Sequence, residues 1–303
     1  MNDSATVVIP TLGRAGSAVA TVRSVLEQGH DQMEILVVDQ SDERDSELLH
    51  LENGHPDVIT YRHVTFRGLP VARNYGWMNA RHEAIIFIDD DVEVLPGFVG
   101  AHLEALQRDG VGLVGGRIND AGATSVGHAG PGHTGRFNIA SAVADRGFNT
   151  DGFFEIDHVP GGNFSSWRNV LQQAGGFDER LGLGAALMEE TELCLRVRKV
   201  GLTIVFCGSA SLLHLRANAG GCRVPDIPDY VYSLAANRSV VIRRHVPQGF
   251  WPVALGRSLL YGLSYATAYR RPAAISSCLK GMIEGWRRGR LQPLCTGGNG
   301  SGR

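Results

Sequence analysis

The stretch EAIIFIDDDVEV, residues 83–94, decides how this chain is read. Ile85 to Ile88 form an unbroken apolar run, the pattern of a strand buried on both faces, and lead straight into Asp89, Asp90 and Asp91. The segments before it alternate strand and helix signals. ATVVIP (5–10), MEILVVDQ (33–40) and VITYRHV (58–64) read as strands. RAGSAVATVRSVLEQG (14–29) and LPVARNYGWMNARH (69–82) read as helices. Strands separated by helix-length segments predict an α/β fold with a parallel sheet and helices on its faces.

Beyond the aspartates the pattern changes. Between about Gly115 and Thr150 the chain is rich in Gly, Ala, Ser, Thr and His, which predicts a long loop. Order returns in FFEIDHVPGGNFSSWRNVLQQAGGFDERLG (153–182), followed by a helix, MEETELCLRVRKVG (188–201), and a strand, LTIVFCG (202–208). After Gly220 the sequence is basic and mostly helical, and no internal repeat is visible.

At 303 residues, 43% of them apolar, the chain can bury a real core, which excludes disorder of the whole. Its net charge of −2 hides an asymmetry: from Val231 onward 11 Lys/Arg stand against one acid, Glu284, so that region carries +10 and the remainder −12. Cys194, Cys207, Cys222, Cys278 and Cys295 are scattered and odd in number, which fits neither a disulfide framework nor a zinc site and suggests a reducing compartment. No basic stretch followed by a long apolar run opens the sequence, and no segment reaches the roughly 18 apolar residues of a membrane span. The expected location is the cytoplasm, with a peripheral contact at the inner face of the cell membrane.

Ligands of open α/β sheets bind at the carboxyl ends of the strands. Three of the four strands here end in suitable groups: Pro10 and Thr11, Asp39, and the aspartate triplet. No G-x-G-x-x-G follows the first strand and no G-K-[ST] occurs, so neither a dinucleotide site nor a P-loop is supported. In extended chain Asp89 and Asp91 share one face and Asp90 takes the other. Two carboxylates on one face repel unless a cation or hydrogen-bond donors compensate, and oxygen ligands favour Mg²⁺ or Mn²⁺. Capping of the following turn at VLPGF accounts for the same acids equally well.

The ordered series VVIPTLGR, VVDQS, GLPVARNYG, FIDDDV, GGNFSSWR, GGFDERLG, EETELCLRVRKVG and LLHL resembles the inverting glycosyltransferase family 2, over roughly residues 5–216. The resemblance implies the GT-A fold, a mixed, mainly parallel sheet flanked by helices, with a helical C-terminal extension. It divides the chain into a catalytic domain, 1–220, with a nucleotide-binding half, 1–110, and an acceptor half, 111–220, and a basic region, 221–303. It implies a nucleotide-sugar donor held by Pro10, Thr11, Arg14, Asp39, Arg73, Asp89, Asp90, Gly161 and Gly162. A carboxylate at Asp39 suits the imide N–H of uracil or thymine, hence UDP- or dTDP-sugars; the alternative for Asp39 is a helix N-cap, and for Arg14 and Arg73 a solvated surface position. Asp91 and His214 match the ligands of a divalent cation, Mn²⁺ or Mg²⁺, with a core histidine as the rival reading of His214. Asp90, between the two facing acids, has a structural alternative. Glu190 occupies the catalytic-base position, although the family's usual text there is E-D-x-D-L; Glu189 and Trp167 are assigned to the acceptor, with a helix-stabilising first-turn acid as the rival reading of Glu189 and core packing as that of Trp167.

The acceptor implied is a saccharide or lipid-linked hydroxyl in polysaccharide or glycolipid synthesis. The paired arginines and aromatic residues of 231–303 suit contact with anionic lipid; ordinary helices packed on the catalytic domain account for them equally well, and no nucleic-acid motif accompanies the charge. The departure at Glu189-Glu190 leaves a catalytically degenerate sugar-nucleotide-binding protein as the alternative.

Overall fold

The computed structural model describes residues 3–120, 130–182, 184–215 and 224–298. The chain begins with β1 (Ala5–Thr11), α1 (Ala15–Leu26), β2 (Met33–Asp39), α2 (Ser46–Gly54), β3 (Ile59–His63), α3 (Leu69–Asn79) and β4 (Ala84–Ile88). It continues through β5 (Val92–Val94), α4 (Phe98–Leu106), β6 (Val111–Asp120), β7 (Phe137–Asn138), β8 (Val143–Ala144), β9 (Phe153–Glu155), β10 (Asn163–Trp167), α5 (Arg168–Ala174), α6 (Glu189–Lys199) and β11 (Thr203–His214). Three helices follow: α7 (Ile227–His245), α8 (Trp251–Ala268) and α9 (Ala273–Arg288).

The main sheet runs β3-β2-β1-β4-β10-β6-β11-β5, with β9 also paired to β11. β1, β2, β3 and β4 are mutually parallel and β6 is parallel to β11, whereas β10 is antiparallel to both of its neighbours. Alternation along the buried strands builds a core on each face. Val7, Ile9, Ile35, Val37 and Ile86 pack into one core, together with α1 and α4. Val8, Leu36, Val38, Ile85 and Phe87 pack into the other, together with α3, α5 and α6.

Two strands are longer than the sequence suggests. β6 extends to Asp120, into the stretch read as loop, because Gly115 and Gly116 mark close packing: a Cβ on Gly116 would overlap the Asn163 amide and the Ala210 carbonyl. Residues 130–150 hold turns and the β7–β8 hairpin, and 121–129 lie outside the described residues, as does Cys222. β11 passes a register shift between Cys207 and Ser211 and carries His214 to the end of β5. The antiparallel setting of β10 pairs Asn163 with Ile88 and Trp167 with Ala84, which brings the Gly161-Gly162 turn beside the aspartates.

The basic C-terminal region is helical as expected, and α7 is a core element. Val231, Ala235, Val240 and Ile242 are buried, and Asn237 donates to the carbonyls of Leu181 and Leu187. Gly281 and Gly285 let α9 lie against the α7 backbone at Tyr232 and Ala236. Among the described residues no helix is long and apolar enough to cross a membrane.

Candidate active site

A cavity of about 1220 Å³ opens over the carboxyl ends of β1 and β4. It exceeds the roughly 300–1,000 Å³ typical of a single small-ligand pocket, which leaves space for a donor and an acceptor together. Pro10, Thr11, Arg14, Arg73, the three aspartates, Gly161, Gly162, Glu189, Glu190 and His214 all border it.

The aspartates divide as the strand geometry predicts, with one refinement. Asp90 turns toward β1, where its Oδ2 accepts from the Thr11 hydroxyl at 2.6 Å and its Oδ1 from Arg14 at 2.9 Å. Burial pushes its carboxyl up to about 6, against the pull of Thr11 and Arg14. The same guanidinium reaches Asp91 Oδ2 at 3.3 Å. Arg14 is therefore an enclosed counter-charge; the solvated surface position does not apply, because neutralising two adjacent buried acids requires a cation inside.

On the other face, ligand atoms of Asp89, Asp91 and His214 lie within 4.8 Å of one another. His214 Nε2 stands 3.2 Å from Asp91 Oδ1, and Nδ1 stands 3.0 Å from Asp120 Oδ1. Asp120 orients the ring, the usual service of an outer carboxylate to a metal-ligating histidine. Hydrogen bonding to Asp91, opposed by burial and helped by Asp120, raises the imidazole to about 9. Two carboxylates and an imidazole could together hold a divalent cation. The residues fit a divalent cation, and His214 borders the cavity rather than lying in the core. Asp120 was not among the residues singled out from sequence, since its place beside His214 depends on the β6–β11 register, which no local pattern encodes.

Arg73 is buried in the α3–α6 contact. Its guanidinium donates to Glu189 Oε1 at 2.7 Å and to the Gly161 carbonyl at 2.6 Å, and lies 3.9 Å from Asp89. Phe164 and Phe177 cover it, with ring centres 5.4 and 5.6 Å away. Arg73 is thus an internal strut and not a solvated residue. The ARNYG motif explains itself around it: Asn74 clamps the backbone of Phe177, and a Cβ on Gly76 would overlap Val8.

At the start of α6 the non-glycine Met188 holds a left-handed φ of 65°, which sets the first helical turn against Gly161. Glu189 is buried on Arg73, and burial with the adjacent Glu190 charge pushes its carboxyl up to about 8 despite that partner. It presents no exposed carboxylate to an acceptor. Glu190 is half-buried on the cavity wall, where Gly161 approaches its carboxylate. Glu192 points into the protein, where it pairs with Arg196, Arg244 and His245 and fastens α6 to α7.

Two predicted contacts fall elsewhere. Asp39 is buried below the cavity floor, its carboxylate accepting from the Tyr61 hydroxyl at 2.7 Å and from the Ser41 N–H at 2.9 Å. Asp45 caps α2 in its place. Trp167 sits at the opposite end of the sheet, donating to the Leu106 carbonyl, because antiparallel β10 carries it away from the aspartates. The far wall instead includes Tyr230, Arg238, Tyr261 and Tyr265 from α7 and α8, which no motif announced.

Comparison with known proteins places this geometry. The chain is 23% identical over 221 residues to the glucosyl-dolichyl phosphate glucuronosyltransferase of Haloferax volcanii, covering 71% of this chain and 69% of that protein. It is 35% identical over 92 residues to an uncharacterised glycosyltransferase of Rickettsia conorii, a match spanning 30% of this chain but only 15% of the relative's length. In three dimensions it resembles GalNAc-T7, crystallised with UDP, GalNAc and Mn²⁺ (TM-score 0.60, 15% identity, covering 88% of this chain and 55% of that one). It also resembles residues 1–349 of S. aureus TarS (TM-score 0.56, 13% identity, 94% and 92%). The mixed, mainly parallel sheet is the GT-A fold of these glycosyltransferases. The model of glycosyl transferase family 2 matches residues 6–169, more than half the chain and including the ends of β1, β2 and β4, and to that family the chain belongs.

Proposed function

We propose that this protein is a metal-dependent inverting glycosyltransferase that moves a sugar from a nucleotide-sugar to an acceptor hydroxyl in polysaccharide or glycolipid synthesis. The observation that carries the reading is the convergence of Asp89, Asp91 and His214 with a half-buried Glu190 on one cavity large enough for two substrates. Residues 1–220 then form the catalytic domain and 221–303 a helical extension that closes its acceptor side.

A Mn²⁺ or Mg²⁺ ion held by Asp89, Asp91 and His214 would supply positive charge for a diphosphate leaving group. Glu190 accepts the proton of the acceptor hydroxyl as its oxygen attacks the anomeric carbon from the face opposite the diphosphate. The new C–O bond forms as the bond to the phosphate oxygen breaks, and the anomeric configuration inverts. Arg73 and Glu189 are positioning residues that fix the Gly161 turn and the start of α6. Arg14 and Thr11 hold Asp90, which in turn orders the strand end beside the nucleotide.

UDP- and dTDP-sugars head the donor panel, since the structural neighbour GalNAc-T7 carries UDP; enclosed Asp39 no longer singles out an imide. The acceptor is a saccharide or a lipid-linked sugar, the second supported by the name of the Haloferax relative. The test is nucleoside diphosphate release from a panel of sugar nucleotides with Mn²⁺, repeated with chelator. Release abolished by chelation is expected. Release indifferent to chelation refutes the metal, and tight nucleotide binding without release leaves a binding protein.

A further inference from the structure

Exposed apolar side chains are unevenly distributed. Among the described residues, 16 large hydrophobic side chains are exposed, and 11 lie between Phe250 and Leu294. They follow a helical order. On α8 the residues Ala254, Ser258, Gly262 and Ala266 are buried, while Val253, Leu260 and Leu263 occupy the opposite side, Leu260 at 56% exposure. On α9 the buried line is Ala274, Cys278, Gly281 and Gly285, and Ile275, Leu279 and Ile283 form an exposed stripe four residues apart, Ile283 at 57%. The two helices pack on each other through Gly262, where a Cβ would crowd Cys278.

The charge on this pair is one-sided. From Trp251 to Gly298 the cations are Arg257, Arg270, Arg271, Lys280, Arg287, Arg288 and Arg290, and the single acid, Glu284, is paired with Arg288. The remainder of the basic region is otherwise engaged. Arg244 pairs with Asp178 and Glu192, Arg238 is buried on the Ser141 and Ala142 carbonyls, and Arg243 stacks on Trp251 and Trp286.

We infer that the outer face of the α8–α9 hairpin lies in the plane of an anionic phospholipid bilayer, with Val253, Leu260, Leu263, Ile275, Leu279 and Ile283 in the acyl boundary and the surrounding arginines on headgroup phosphates. Charge complementarity selects this occupant: leucine and isoleucine stripes framed by cations match an anionic headgroup layer, and no helix among the described residues crosses it. The surface is coupled to the catalytic cavity, because α8 turns Tyr261 and Tyr265 into that cavity from a neighbouring face. One helix diameter, about 10 Å, separates the bilayer plane from the acceptor side. This last point rests on the glycosyltransferase reading; the docking itself does not.

The test is co-sedimentation of the full chain with vesicles of phosphatidylcholine alone and of phosphatidylcholine with phosphatidylglycerol, at low and high salt, beside light scattering of the free protein. Binding to the anionic vesicles only, weakened by salt, is expected. Leu260→Asp with Ile283→Asp should cut partitioning at least tenfold while unchanged thermal unfolding and nucleoside diphosphate release show that the fold and site survive. Absence of binding by the native chain, or binding that the double variant retains, overturns the inference. A concentration-dependent dimer that the double variant dissociates, without vesicle binding, assigns the face to a second copy and overturns it too. Failure of sugar transfer with vesicle binding intact would instead count against the catalytic reading alone.

Discussion

Glu189 and Glu190 are neighbours on one helical turn beside the cavity, yet their surroundings separate them: one is buried on Arg73 and the other is only half-buried. The buried carboxyl has a measurable signature. Its folded value, about 8, lies above the ordinary 4.5, so the native state binds its proton more tightly than the unfolded chain does. Stability from this group is fully present below about pH 4.5 and is lost as pH rises through 8. Denaturation midpoints between pH 5 and 8 should therefore fall less steeply for Glu189→Gln than for the native chain; equal slopes would place the proton elsewhere. Gly162 offers a second residue-scale test, because a Cβ there would overlap the Asp89 carboxylate. Gly162→Ala is expected to weaken Mn²⁺ binding by calorimetry while the unfolding temperature barely moves. The family resemblance pointed to Glu190, Asp89, Asp91 and His214, and all four border one cavity. Sequence could not tell that Arg14 is largely enclosed and Arg73 buried, since enclosure of a long cation depends on partners 76 and 116 residues away.

At the scale of elements, β1 to β4, α1 and α3 were legible because each carries its own apolar pattern, whereas the short α2 and β5 were not read. The elements that sequence reading missed owe their form to neighbours. β6 is a strand despite its glycines, because β10 and β11 press on them from both sides. Trp167 was misplaced for a related reason: antiparallel insertion of β10 reverses the direction in which the site lies, and insertion order is a property of the sheet. Within α3, Gly76 sets the distance between helix and sheet. Gly76→Ala should cost about 1–3 kcal/mol, the usual range for overpacking a filled core, measured by urea unfolding; a neutral result would mean that α3 can retreat from β1.

The molecule as a whole closes its cavity with helices from beyond the family-matched segment. Residues 6–169 supply the strand ends that carry Thr11 and the aspartates, whereas β11 brings His214 and the opposite wall of the cavity is completed by α6, α7 and α8. That division explains why part of the cavity lining was legible and the rest was not: Asp89, Asp91, Glu190 and His214 stand in motifs of fixed order, but Tyr230, Tyr261 and Tyr265 reach the cavity only through packing of the C-terminal helices. The joint between the parts is ionic and buried, with Glu192 held by Arg196 and Arg244 and Asp178 by Arg244. The central claim is that Glu190 removes the acceptor proton in this assembled cavity. Its most direct test is the initial rate of nucleoside diphosphate release, at saturating donor and Mn²⁺, by Glu190→Gln against the native protein. A loss of about 10²–10⁴-fold, the range for a general base, with nucleotide affinity and unfolding temperature unchanged, is the predicted result. A native-like rate from Glu190→Gln would contradict the account.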